Sequence, residues 1–325
     1  MNDWPIELTD VLAARGRIAP FLPPSPLRSH PTLDAAVGDG IRVMVKHENF
    51  QPTNSFKIRN ALSLVTSLDA AERARGVVAA TRGNHGLGIA WAARQFGMSA
   101  TICVPIGNNP DKNAGMRALG ARVIEEGRDY DEAILVAERI VRDDGATMAH
   151  STNDRRVIAG AATMTLEMVE QDPELEAIVV AVGGGSQAVG ALTVARAMRP
   201  GVRVYAVQAA GASAAHDSWH AGTRMAWQRA DTFADGLATR STYEMTFPAL
   251  RAGLAGFITV SDAAIADALR LLLATTHTLV EGAGASALAG LLALRGELAG
   301  RRVAVVISGG NIDEATLRRV LAREI

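Results

Sequence analysis

The chain has a single cysteine in 325 residues. That excludes an intrachain disulfide framework and any zinc or iron–sulfur site built from several cysteines. It also lacks charge of one sign: 33 basic residues face 34 acidic ones, for a net charge of −1. Nucleic-acid grooves and anionic membrane surfaces need excess positive charge, so neither is expected as a partner. No stretch reaches the ~18 uninterrupted apolar residues of a membrane span. The N-terminal MNDWPIELTD has no apolar core, so it does not read as a signal peptide. A soluble, cytoplasmic, globular protein with a large core is the expectation. Hydrophobic residues make up 48% of the chain, enough for a large core. The length suits about two domains or one large one.

The first 40 residues are rich in proline and alanine, and IAPFLPPSPLRSHP reads as an extended, turn-rich approach. Short apolar runs then recur at Ile41–Lys46, Gly76–Ala80, Ala100–Val104, Ala177–Val182, Val202–Val207 and Arg302–Ile307. They are rich in β-branched residues and do not alternate with polar ones, which predicts strands covered on both faces. Helical stretches such as Gly86–Phe96 and Asp262–Ala274 lie between them. This alternation predicts an α/β fold of parallel sheets flanked by helices. In such sheets ligands bind beyond the carboxyl ends of strands.

The loops at those ends carry the chemistry. Val182 is followed by Gly183-Gly184-Gly185-Ser186 and a helical stretch, a pattern that predicts a phosphate cradle at a helix N-terminus. The loop also matches G-x-G-x-x-A, but the next strand ends at Gln208, which cannot act as the ribose-binding carboxylate of a dinucleotide site. Lys57 stands at a helix start beside Phe56, where the dipole disfavours a cation and should lower its pKa. Such a lysine can form an imine. Thr81-Arg82-Gly83-Asn84-His85-Gly86 opens another helix, and its hydroxyl and N–H groups suit a carboxylate. Ser308 ends the last strand and can make one hydrogen bond there. Cys103 lies in an apolar strand and reads as packing. Glu281 reads as an acid placed to complement a helix dipole. His216, Asp217 and His220 have helical spacing but read as a solvated face, so no metal site is expected.

Together these loops form a set. KHENFQPTNSFKIRNA, TRGNHGLGIAWAA, VGGGSQAVG, ADGLA, EGAGASALA and SGGNID resemble the pyridoxal-phosphate (PLP) enzymes of the threonine/serine dehydratase type, also called fold type II. Within that family the branch resembled includes phenylserine dehydratases. The resemblance implies PLP as cofactor and two parallel-sheet lobes flanked by helices. A large PLP-binding domain (1–74 and 154–325) would be interrupted by a small one (75–153). Lys57 would carry the imine link, Phe56 would pack on the ring, and Asn84 would bond the ring hydroxyl oxygen. Gly183, Gly184, Gly185 and Ser186 would hold the phosphate, and Ser308 would face the pyridine nitrogen. Thr81, Arg82, Asn84 and His85 would meet the substrate. The implied reaction is dehydration and deamination of a β-hydroxy-α-amino acid to a 2-oxo acid and ammonia, leaning to phenylserine. The alternatives are threonine, serine or hydroxyaspartate as substrate, a β-replacement synthase, or a non-catalytic PLP-binding protein. A homodimer is possible, and no room is expected after Ser308 for a C-terminal allosteric domain.

Several positions depart from that family's pattern. Asn54 and Asn60 stand where glycine is common, and Ser186 replaces a fourth glycine. Arg82 stands where the family's racemases carry a proton-transferring serine. Arginine stays protonated and is a poor base, so racemisation is not expected. Arg82 is left with three readings: stacking on an aryl ring, pairing with a second carboxylate, or a structural salt bridge. Gln208 also stands where some members carry a metal-binding carboxylate, which puts that cation site in doubt.

Overall fold

A computed structural model describes residues 4–325, the side chain of Asp131 excepted. Among these residues, ten strands form two sheets. In chain order they are β1 (Leu27–Ser29), β2 (Arg42–His47), β3 (Val77–Ala80), β4 (Ala100–Val104), β5 (Arg122–Glu125), β6 (Thr147–Met148), β7 (Ala177–Ala181), β8 (Arg203–Ala209), β9 (Gly256–Val260) and β10 (Arg302–Ile307). Six build one sheet in the order β1-β2-β10-β7-β8-β9. Only its edge strand β1 runs antiparallel, with Leu27 opposite Lys46. The other four form a wholly parallel sheet, β5-β4-β3-β6. This is the α/β architecture of parallel sheets and flanking helices that the pattern of apolar runs predicts.

Every predicted apolar run became a strand, and β7 and β3 are buried along their whole length. Helices cover both faces, so both sides of each central strand must be apolar. The helix Arg155–Gln171 is buried from Val157 to Val169, and so is Gly282–Ala293 over most of its length. Helices apolar all round belong inside a protein: Gly282–Ala293 lies against the larger sheet, and Arg155–Gln171 packs among the helices Leu8–Ile18, Lys57–Ser67 and Ser186–Met198. Polar caps set where helices begin. Asp154 accepts from the Arg156 N–H at 2.8 Å, and Asp313 from the Thr316 N–H at 2.8 Å.

The N-terminal 40 residues differ from the expectation of an extended approach. Helices span Leu8–Ile18 and Pro31–Val37 there. Proline is no obstacle at a first helical turn, where its missing N–H would have had no partner, and Pro31 sits at that position. In the first helix, Val11, Ala14 and Ile18 share one buried face. Strands β5 and β9 also escaped the apolar-run signal, because each is only partly buried.

A closed ionic cluster lies beneath the helix Lys57–Ser67. Arg59 is buried and clamps two carboxylates: Nε and Nη2 donate to Glu48 at 2.8 and 2.9 Å, and Nη1 and Nη2 donate to Glu167 at 2.7 and 2.8 Å. Lys46 Nζ donates to Glu167 at 2.7 Å and to the Ser25 carbonyl at 2.7 Å. Burial works against ionising Glu48, but Arg59 holds it below the usual carboxylate range. Two cations therefore meet two anions, tying β2, the helix Lys57–Ser67 and the helix Arg155–Gln171 together.

Removing one member of such a cluster leaves a buried charge without a partner. Glu167→Leu should lower unfolding free energy by about 3–5 kcal/mol in urea titrations. A loss below about 1 kcal/mol, the level of an exposed pair, would contradict that account.

Candidate active site

The carboxyl ends of β7, β10 and β3 and the start of the helix that follows β2 line one cleft. Lys57, Ser308, the glycine loop after β7 and the Thr81–His85 turn after β3 all line it. Every residue proposed from sequence for the site thus converges on one place.

Lys57 is the first residue of the helix Lys57–Ser67. Its Nζ donates to the Ser151 carbonyl at 3.1 Å and lies 5.0 Å from the centre of the Phe56 ring. Burial lowers its pKa from the ordinary lysine value to about 8. The direction is the one expected from the helix dipole, but desolvation is the cause. No carboxylate among the described residues offsets that burial. The Phe56 N–H donates to the Ser308 carbonyl at 3.0 Å, which ties the lysine's helix to the end of β10.

The glycine loop is shaped by what crowds it. Gly185 has φ +98°, a left-handed conformation that favours glycine. A Cβ at Gly183 would meet the carbonyl oxygen of Gly236 at 2.3 Å. The Gly184 carbonyl accepts from Thr246 Oγ1 at 2.9 Å, so it is turned away from acting on an anion. Helix Ser186–Met198 begins here, and its first N–H groups have no intrahelical acceptor. Gln187 Nε2 lines the same end of the cleft, buried and without a partner. Asn60 and Ser186, two of the departures from the family pattern, meet each other: Asn60 Nδ2 donates to Ser186 Oγ at 3.4 Å. Asn54, a third, adopts φ +53°, which explains why glycine is tolerated there and why asparagine can replace it.

On the opposite wall, the helix Asn84–Gln95 starts directly after the Thr81-Arg82-Gly83 turn. Thr81 Oγ1 accepts from the Gly83 N–H at 2.9 Å, leaving its own proton to donate. His85 Nε2 lies 2.7 Å from the Ala149 carbonyl, so that nitrogen carries the proton. Burial, then the nearby Lys57, lowers the ring's pKa to about 3, so the ring is neutral. Its Nδ1 is therefore an acceptor, and any hold of His85 on a carboxylate falls to its backbone N–H. Asn84 is doubly engaged: Nδ2 donates to Glu281 Oε1 at 2.6 Å, and Oδ1 accepts from Asn311 at 2.8 Å. One Nδ2 hydrogen remains for a ligand.

Sequence reasoning missed part of this wall. Glu281 does more than complement a dipole. It is buried in the cleft, and burial raises its pKa although Lys112 and Asn84 oppose the shift. Lys112 Nζ donates to Asp235 at 3.1 Å, and burial of its charge is outweighed by Glu281 and Asp235. Asp235 belongs to the ADGLA segment, but nothing local marks Lys112. Tyr130 and Ser151 also line the cleft, with their hydroxyls 2.8 Å apart. Elsewhere, Gln208 Oε1 accepts from the Ala215 and His216 N–H groups and so caps a helix. His216 and Asp217 bond each other at 2.8 Å. Cys103 is buried in β4, and burial pushes its thiol up to about 11.

Comparison with known proteins follows this geometry. Residues 18–309 match the family model described as pyridoxal-phosphate dependent enzyme, and the chain belongs to that family. An L-threonine ammonia-lyase of Thermotoga maritima is 40% identical over 87% of this chain and 70% of its own length. An L-threo-3-hydroxyaspartate ammonia-lyase of a Pseudomonas species is 34% identical over 94% of this chain and 95% of its own. The solved structure of maize serine racemase superposes with a TM-score of 0.92 at 30% identity, covering 99% of this chain and 98% of that one. The cofactor is therefore pyridoxal phosphate. The cleft fits it: a desolvated amine suits the aldehyde, and a helix N-terminus with an orphaned Gln187 amide suits the phosphate.

Only a neutral amine attacks an aldehyde. Uptake of pyridoxal phosphate by cofactor-free protein should therefore speed up as pH rises through about 8, then level off. A stopped-flow rate that falls or stays flat across that pH would contradict the assignment of Lys57. Gly183→Ala should weaken pyridoxal phosphate binding at least about tenfold in equilibrium titrations, because its methyl must displace the Gly236 carbonyl. Unchanged affinity would remove the loop from the phosphate site.

Proposed function

We propose that this protein is an ammonia-lyase acting on small β-hydroxy-α-amino acids of the threonine, serine or 3-hydroxyaspartate type, releasing a 2-oxo acid and ammonia. The observation that carries the reading is a lysine amine, desolvated and with no carboxylate partner among the described residues, in one cleft with the start of the helix Asn84–Gln95. The sequence leaned toward phenylserine. The relatives named above act on threonine and hydroxyaspartate, so the aliphatic and acidic alternatives displace the aryl one.

Each residue then has a task. The N–H groups at the start of the helix Asn84–Gln95 and the Thr81 hydroxyl hold the α-carboxylate. Lys57 would hold the cofactor, with the N–H groups from Gly183 to Ser186 on its phosphate, Asn84 on its ring hydroxyl and Ser308 on its ring nitrogen. Bound pyridoxal phosphate supplies an electron sink for the pair released at the substrate Cα. The Lys57 amine would take the α-proton. Its pKa near 8 leaves a useful fraction of neutral amine at physiological pH. The β-hydroxyl departs with a proton as water, and the unsaturated amine that is released hydrolyses to the 2-oxo acid and ammonia. Arg82 stands where a second proton-transfer group would be needed for racemisation, and a guanidinium does not serve as a base.

The test is 2-oxo acid formation by the holoenzyme on L-threonine, L-serine, L-threo-3-hydroxyaspartate and phenylserine. At least one of the first three should be turned over. Lys57→Ala should form no 2-oxo acid above background and should lose the imine absorbance. Turnover confined to phenylserine, or survival of activity in the variant, would overturn the proposal.

A further inference from the structure

We infer that Arg82 is a specificity-determining residue that receives the side-chain carboxylate of a dicarboxylic substrate, which makes 3-hydroxyaspartate the preferred member of the class. This rests on the ammonia-lyase reading and narrows it. The first observation is position. Arg82 immediately follows Thr81 and precedes the helix start that suits the α-carboxylate, and it lines the cleft that holds Lys57. It also lines a second recess that opens from the cleft beside Tyr130, Thr239 and Tyr243. A substrate whose α-carboxylate sits at the helix start and whose Cα faces Lys57 can direct its side chain toward this boundary.

The second observation is that the guanidinium is unspent. Its Nε is buried without a hydrogen-bond partner, and Arg82 makes no ion pair with any described carboxylate. The structural salt bridge that the sequence left open is thus not formed. The neighbouring arginine of the recess, Arg240, is matched by Asp129 at 3.5 Å. The cleft's own acids are engaged as well: Asp235 accepts from Lys112, and Glu281 accepts from Asn84. A buried donor left unpaired at a binding cleft is costly unless a ligand completes it. A carboxylate does so best, because it can take two guanidinium N–H groups at once. An aryl ring would stack on the guanidinium but leave Nε unsatisfied.

The experiment separates this assignment from the reaction. Binding of L-aspartate and of L-alanine to the holoenzyme is measured by calorimetry. Neither has a β-hydroxyl to lose, so no dehydration interferes. Arg82→Ala and Arg82→Gln should weaken L-aspartate by about 10- to 100-fold, the value of charge-assisted hydrogen bonds, and L-alanine by less than about threefold. The kcat/KM for L-threo-3-hydroxyaspartate should fall in the same proportion, while that for L-threonine changes little. Equal losses for both ligands would overturn the inference, and so would a wild-type enzyme that binds alanine as tightly as aspartate. If aspartate binding depends on Arg82 but no β-hydroxy amino acid is turned over, the arginine assignment stands and the ammonia-lyase reading falls. Circular dichroism on Arg82→Gln, whose side chain is close in volume, checks that the fold is retained.

Discussion

The double clamp of Arg59 on Glu48 and Glu167 is the constraint on which the active site depends. Arg59 lies two residues beyond Lys57, and its partners come from the segment after β2 and from the helix Arg155–Gln171. Four short hydrogen bonds to two carboxylates leave the helix Lys57–Ser67 little freedom to slide or rotate. The lysine's position therefore depends on a buried ionic lock more than on its own contacts, which amount to one carbonyl and one ring. Burial, with no carboxylate among the described residues to offset it, pulls the Lys57 pKa down.

Around that lysine the fold brings strand ends from both sheets to one place. The larger sheet supplies the glycine loop after β7 and Ser308 after β10. The smaller sheet supplies the Thr81–His85 turn after β3. Two helix N-termini, at Asn84 and Ser186, thus face one cleft from different directions. Each offers a positive dipole end, so the cleft can take two anionic groups at once. Arg82 adds a third positive centre where the cleft opens into its recess.

Much of the fold was legible because central parallel strands must be apolar on both faces, and runs such as AIVVA and RVAVVI carry that pattern openly. The edge and short strands were not legible, since half-buried strands such as GFITV and RVIE mix polar and apolar residues. The N-terminal helices were hidden by prolines that mark turns in one context and helix starts in another. At the site, the glycines and the candidate side chains announced themselves by type and place after strands. Lys112, Tyr130 and Ser151 did not, because nothing about a lysine, tyrosine or serine in its own segment shows that the chain will return it to a cleft.

The sequence by itself determined the alternation of strands and helices, the glycine loop and the lysine at a helix start. All three rest on local rules: side-chain period, backbone permissiveness and helix-end chemistry. Only the tertiary structure decided which charges cancel. It paired Arg59 with Glu48 and Glu167, gave Lys112 to Asp235, capped a helix with Gln208, and left Arg82 and Lys57 without carboxylate partners among the described residues. Charges separated by a hundred residues attract or ignore each other according to the few ångströms the fold puts between them, and burial decides what each such distance means.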